Sequence, residues 1–328
     1  MSRFLIRRIV IGLLTLFAVS VLSFLMFFSL PRDPVTAMCP KNCNAERLEQ
    51  VRTDLGLNKP KVEQYADYMK GIFVGRDLGS AQGGHCDAPC LGYSFTRSER
   101  VTDTMRRVIP VTLSVVIPAA ILWFGLGIGL GMLSAVRRGT VFDRAAIGFA
   151  LTGASLQIYF VGGLLLSLFV YNLKWLPSPH YVSLLDNPWQ WFQAMVLPWI
   201  ALAFLFCAIY ARLTRAQMLE TLSEDYIRTA RAKGLSERSI LRKHALRPTI
   251  TPLITIFGLD VGAALGGTFI TETTFGINGL GRTTVESVRD GDLPTVMATV
   301  LISATFIVVA NIVVDLVYAV IDPRVRLT

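Results

Sequence analysis

Six stretches of this chain are too long and too apolar to fold in water. Crossing the core of a bilayer takes roughly 20 apolar residues in a helix. Ile9 to Leu30, Val108 to Val136, Ala145 to Leu173 and Asn187 to Ala211 carry no charge. Pro248 to Thr271 holds only Asp260, and Leu293 to Ile321 only Asp315. Each is long enough to cross with some tilt. Composition points the same way: 52% of the 328 residues are hydrophobic and 17% are charged, where soluble domains carry about 25% charge. A soluble globule of this length could not cover so much apolar surface. The expectation is an all-α integral membrane protein with six transmembrane helices. Disordered chains and nucleic-acid-binding tails are excluded.

A net charge of +9 would suit a polyanion, so its placement decides. Arg3, Arg7 and Arg8 precede the first span, and Arg137, Arg138 and Arg144 lie between the second and third. Nine Lys and Arg fall between Arg212 and Arg247, and Arg324 and Arg326 follow the last span. The two short loops of the opposite side hold only Lys174, Arg282 and Arg289. That asymmetry places the N- and C-termini in the cytoplasm, because short cytoplasmic loops concentrate Lys and Arg. The basic balance is thus a topology signal and leaves nothing for nucleic acid to explain. Trp175, Tyr181, Trp189 and Trp191 crowd the second outside loop, as an interfacial aromatic belt does. The first apolar run exceeds the about 7–15 residues of a signal-peptide core, and Val35-Thr36-Ala37 is a feeble cleavage site. It is read as a retained helix.

The chain divides into residues 1–30, an extracytoplasmic segment 31–107, and a five-helix core 108–328 that carries a cytoplasmic loop at 212–248. In the outer segment Leu48, Val51, Leu55, Tyr65, Tyr68, Met69 and Ile72 recur near helical spacing, which predicts short amphipathic helices. Four of the five cysteines lie there, as Cys39–Cys43 and Cys86–Cys90. An even number in an oxidising compartment favours disulfides. The rival is a metal site that uses both pairs with His85. Cys207 reads as a small buried hydrophobe, and His180 and His244 as structural.

The loop between spans four and five has the most legible chemistry. Ser223 is placed to cap a helix, Glu224 and Asp225 suit its positive end, and Arg231 and Lys233 its negative end. Gly234 can take the left-handed conformation that stops it. Ser236 opens a second helix that Pro248 helps end. Ala230 and Gly234, four apart, would leave one face bare enough for another protein to approach closely.

This pattern resembles the coupling-loop motif of bacterial ATP-binding-cassette importer permeases, E-A-A-x3-G, with Arg228, Thr229 and Ala230 on the triplet. Only Ala230 and Gly234 match the generic form. The full string from Asp225 to Leu235 is similar to the version in peptide-importer permeases. Arg7-Arg8, Pro31-Arg32-Asp33-Pro34, Leu55 to Pro60, Asp77-Leu78-Gly79, Glu272 to Gly276, Gly279 to Arg282 and Asp322-Pro323-Arg324 agree with it along roughly residues 3 to 326. The sequence departs from the family between Ser80 and Gly92, an insert that brings Cys86 and Cys90 and implies a disulfide-stiffened cap.

The resemblance implies the type I importer permease fold, on the first permease of a dipeptide, oligopeptide or nickel system. It implies four further kinds of partner: a homologous second permease, two ATP-binding-cassette ATPases, an extracytoplasmic substrate-binding protein and a peptide substrate. Tyr226, Arg228, Thr229, Ala230, Lys233 and Gly234 would meet an ATPase. ATP and Mg would be bound by those partners, and no cofactor by this chain. It has no phosphate-binding loop, since no lysine follows a glycine, and no H-E-x-x-H or G-x-S-x-G motif. Asp260 and Glu272 are candidates for the pathway or for helix packing. Three histidines in the whole chain tilt the substrate away from nickel. A secondary transporter or channel would have no use for a helix shaped to dock an ATPase.

Overall fold

The computed structural model describes residues 2–29, 59–78, 84–94 and 96–321. Among the described residues five helices are long and apolar enough to cross a membrane: α1 (Ser2–Ser29), α3 (Val101–Val136), α6 (Pro188–Ser223), α8 (Glu237–Gly266) and α11 (Leu293–Ile321). The third expected span is not a single rod. It divides into α4 (Val141–Ser155) and α5 (Ile158–Leu165), which continues as a π-helix over Leu166–Asn172. The two apolar halves meet at 104°, so the crossings number up to six if this bent pair is one. The local sequence explains the break. Leu156 and Gln157 take extended backbone, and the hydroxyls of Thr152 and Ser155 bond back to Gly148 O and Leu151 O. Hydroxyl back-bonding bends helices, and Gly/Ser-containing stretches are where kinks fall.

Two glycine-lined seams hold the bundle. On α3, a Cβ at Gly127 would lie 2.5 Å from Tyr210 Cβ, and one at Gly131 2.5 Å from Ala211 O, so α3 and α6 approach almost backbone to backbone. On α8, Gly258, Gly262 and Gly266 pack on Val314, Ile307 and Ser303 of α11, and Ser303 Oγ donates to Gly266 O at 2.8 Å. Small residues four apart permit such contact in lipid, where apolar burial gives helices no reason to associate. Pro118 and Pro252 sit inside α3 and α8 without interrupting them. Arg8 pairs with Asp315 at 3.1 Å, tying α1 to α11.

Of the amphipathic helices expected in the outer segment, α2 (Lys61–Val74) carries Tyr65, Tyr68, Met69 and Ile72, while Leu48, Val51 and Leu55 lie outside the described residues. Tyr68 and Phe24 are buried with Met297, and Tyr65 OH lies 2.6 Å from Ser20 Oγ, so α2 folds onto α1 and α11. Two antiparallel strand pairs follow, β1 (Arg76–Asp77) with β2 (His85–Cys86), and β3 (Tyr93–Ser94) with β4 (Glu99–Arg100). A disulfide joins Cys86 and Cys90, both buried. Cys39 and Cys43 lie outside the described residues. Ser94 Oγ donates to Asp292 at 2.5 Å, fixing β3 to the start of α11.

Candidate functional site

Where α6 ends, the chain makes one sharp step and restarts as α7 (Asp225–Ala232). Ser223 does not cap this helix. Its hydroxyl bonds Glu220 O at 2.6 Å within the last turn of α6, and the N-cap is Glu224, in extended backbone with no side-chain cap. α6 runs longer than its apolar pattern, which leaves Ser223 one residue short of the turn. Asp225 and Arg231 sit in the first and last turns, as the helix dipole favours. Gly234 has φ +77° and its amide bonds Arg231 O at 2.9 Å. Nothing lies within 4 Å of a Cβ placed there, so glycine is required by the left-handed backbone and not by a neighbour in this chain.

The faces of α7 fall differently from the small-residue expectation. Ile227 is fully buried and Ala230 nearly so, packed with Ala135 of α3, Met218 of α6, and Ile240 and Ala245 of α8. Ala230 is small because it faces the ends of three membrane helices, not a partner. Tyr226, Arg228, Thr229, Lys233 and Gly234 are exposed on the other side. Thr229 Oγ1 donates to Asp225 O at 3.0 Å and Arg228 lies 3.5 Å from Asp225, which orders this outer face.

Two contacts fasten α7 to α8. Arg231 Nε donates to Glu237 Oε1 at 2.8 Å. Tyr226 OH donates to His244 O at 3.4 Å. The second follows from a correction: Pro248 does not end a helix but lies inside α8, just past a π-helical stretch at Ile240–Ala245. Proline supplies no N–H to the carbonyl four residues back. That carbonyl belongs to His244 and is left for Tyr226.

The two acids singled out from sequence occupy opposite surroundings. Asp260, on α8, is half-buried, and Tyr210 OH donates to its Oδ2 at 2.7 Å. Glu272, on the short helix α9 (Phe269–Thr274), is fully buried. Its Oε1 accepts from Thr112 Oγ1 at 2.8 Å and Thr268 Oγ1 at 3.3 Å, and its Oε2 from the Arg282 amide at 2.8 Å. The carboxyl group therefore sits against the N-terminus of α10 (Leu280–Asp290), where a free backbone amide donates to it. A Cβ at Gly279 would lie 2.2 Å from Glu272 Oε1, so the glycine before α10 makes room for the carboxylate.

Residues 1–116 match the family model described as binding-protein-dependent transport system membrane component, N-terminal, and residues 127–327 match the binding-protein-dependent transport system inner membrane component. The chain belongs to this family of transport-system membrane components. A putative peptide transport system permease protein of Brucella abortus is 34% identical over 326 residues, covering 99% of each chain. The dipeptide transport system permease protein DppB of Escherichia coli is 35% identical, again over 99% of each. A probable peptide ABC transporter permease protein of Sinorhizobium fredii is 31% identical over 99% of this chain and all of its own length. A chain of the MetNI methionine ABC transporter, solved in inward-facing conformations, superposes with a TM-score of 0.52 at 19% identity. It covers 67% of this chain and 97% of its own, which establishes the type I permease fold.

Within this transport component, sequence reasoning missed two buried acids, Asp143 and Asp292. Asp143, at the start of α4, accepts from Arg215 Nε at 2.7 Å and Nη2 at 3.0 Å, from Ser134 Oγ at 2.6 Å and from the Gly139 amide at 2.9 Å. It locks α3, the following turn and α6 beside the seat of α7. The signal was present as Thr140 three residues before Asp143, a helix-start signature. The Gly127 and Gly131 pair was equally readable from its spacing. Among the described residues no group of three or more His, Cys, Asp or Glu is placed to hold a metal.

Proposed function

We propose that this chain is the permease subunit of a bacterial ATP-driven peptide importer, forming half of the translocation pathway and taking its energy from separate ATPase subunits through α7. One observation carries the reading. α7 is a short helix held by a small apolar seat on α3, α6 and α8, with its polar face bare. A helix so placed is a handle: a partner that grips Tyr226, Arg228, Thr229, Lys233 and the turn at Gly234 moves the ends of three membrane helices together. Ala230 and Ile227 transmit the push, and the Arg231–Glu237 pair passes it to α8.

The peptide substrate is carried over from the printed names of the relatives in Brucella abortus and Escherichia coli. Membership of a binding-protein-dependent transport family supports an extracytoplasmic binding protein, a second permease and two ATPases as partners. ATP and Mg are bound on those ATPases, and this chain performs no catalysis. The Lys and Arg distribution supports a cytoplasmic side for the termini and for α7, with the chain in the bacterial inner membrane.

The test is ATP hydrolysis by the co-expressed complex in lipid with its binding protein, against short peptides and against nickel. Stimulation by peptides alone is the expected result. Stimulation by nickel alone would keep the architecture and replace the substrate.

A further inference from the structure

Glu272 shows what a packing carboxylate looks like in this chain: no exposure, three donors and both oxygens used. Asp260 is built otherwise. It lies six residues before the end of α8 at Gly266, about 9 Å along the helix, inside the apolar stretch. Tyr210 holds Oδ2, and among the described residues nothing else bonds the carboxylate. The residue is half-buried, and among the described residues no hydrogen bond engages Oδ1. An ionisable group placed so cannot face lipid without a large penalty, and such groups face the bundle interior or a water-filled path.

The surroundings select the charge of what would meet it. Phe257 lies one helical turn before Asp260 on the same face. Phe124 of α3 packs on Phe257 with ring centroids 4.3 Å apart, and both stand edge-on to Tyr210, at 5.8 Å for Phe124 and 6.4 Å for Phe257. Phe124 and Phe257 are only partly buried and pack around the tyrosine that holds the carboxylate. A carboxylate with an open lone pair flanked by aromatic faces attracts a primary ammonium, by charge-assisted hydrogen bonding and by the ring quadrupoles, and repels an anion.

We propose that Asp260, with Phe124 and Phe257, is a transient binding site in the translocation pathway for the α-ammonium group of a peptide in transit. Tyr210 is a positioning residue: it occupies Oδ2 and leaves Oδ1 for a ligand. This site rests on the peptide-import reading, but its exposure to water does not.

Two measurements on the complete lipid-reconstituted complex test it. The first is peptide uptake per ATP hydrolysed. Asp260→Asn is expected to lower that ratio about tenfold, the loss expected when a charge-assisted bond becomes neutral, and Asp260→Glu to restore most of it. The second is labelling of an Asp260→Cys variant by a cationic, water-soluble methanethiosulfonate, read at position 260 by mass spectrometry, with peptide slowing the reaction. A wild-type ratio in Asp260→Asn, or no label at position 260, would overturn the site. Loss of the second permease from the Asp260→Asn complex would overturn it too, assigning the carboxylate to a subunit contact. If the wild-type complex takes up no peptide, the import reading fails by itself, and labelling still decides whether the position faces water.

Discussion

At one end of α8 lies α7, held by Ile227 and Ala230 with a bare polar face; at the other lie α9 and α10, joined through the buried Glu272. In the proposed transport cycle both ends must survive movement of the helix between them. The α7 end uses a few apolar contacts and exposed ion pairs, which are weak singly and re-form readily. The Glu272 end uses hydrogen bonds sealed from water, which are costly to leave unmade. Under the proposed coupling role the contrast assigns different work to them: α7 would be the surface gripped, and the Glu272 cluster would keep α9 and α10 together.

The sharpest way to break this contrast is to remove the carboxylate. Glu272→Leu leaves the Arg282 amide and the Thr112 hydroxyl buried without an acceptor. At ~1–3 kcal/mol for each orphaned donor, the loss should be about 2–6 kcal/mol. Thermal unfolding of the lipid-solubilised complex measures it, and an unchanged melting temperature would mean that Glu272 does not hold the cluster. Ile227→Ala strikes the other end. Truncating a buried Ile costs about 2–5 kcal/mol, here at the lower end because the seat lies at the edge of the bundle and can relax. The more telling readout is functional: uptake should fall further than ATP hydrolysis, because the handle loosens while the ATPases remain intact. A parallel fall in both would instead point to misassembly.

The halves of this contrast were unequally legible in the sequence. Apolar runs announced the membrane helices because lipid demands about 20 such residues whatever the packing. The bend within Ala145 to Leu173, and the end of α8 at Gly266 inside Pro248 to Thr271, were not legible, since a break costs a hydropathy pattern nothing. The position of α7, its charged turns and the left-handed Gly234 follow from local rules and were readable. Its orientation was not: whether Ala230 faces a partner or its own subunit depends on Ala135, Met218 and Ile240, which are remote in sequence. Glu272 meets Thr112 across 160 residues, so no local pattern could tell a capping acid from a pathway acid.

Gly234 sharpens the comparison further. Gly234→Trp should cost about 1–2 kcal/mol for the left-handed backbone, with insertion in the membrane intact, yet abolish ATP-driven uptake, since the open space beside it is where a partner would approach. Gly234→Asn separates the two effects, because asparagine tolerates this conformation and is small. Its uptake should stay near wild type. Normal uptake by the Trp variant would remove α7 as the docking site.

The smallest effect belongs to the exposed hairpin of the outer segment, where His85 and Asp77 face each other across β1 and β2. His85 Nδ1 lies 2.5 Å from Asp77 Oδ1. The hydrogen bond to the Asp77 carboxylate, then its charge, raises the imidazole above its ordinary range. A raised folded-state value means that any stability the pair contributes is fully present below the unfolded imidazole's pKa, about 6.5, and is lost as pH rises through the folded one. Both side chains are exposed, so water and salt screen the pair and melting temperature should hardly move with pH. The titration itself should show it. With three histidines in the chain, NMR of the imidazole resonances can follow His85 singly, and Asp77→Asn should return its midpoint toward the free value. A midpoint at or below the ordinary one in the native protein would mean that the two side chains do not meet. The hairpin would then lack its shorter ionic contact, leaving His85 only the approach to Asp87 at 3.7 Å.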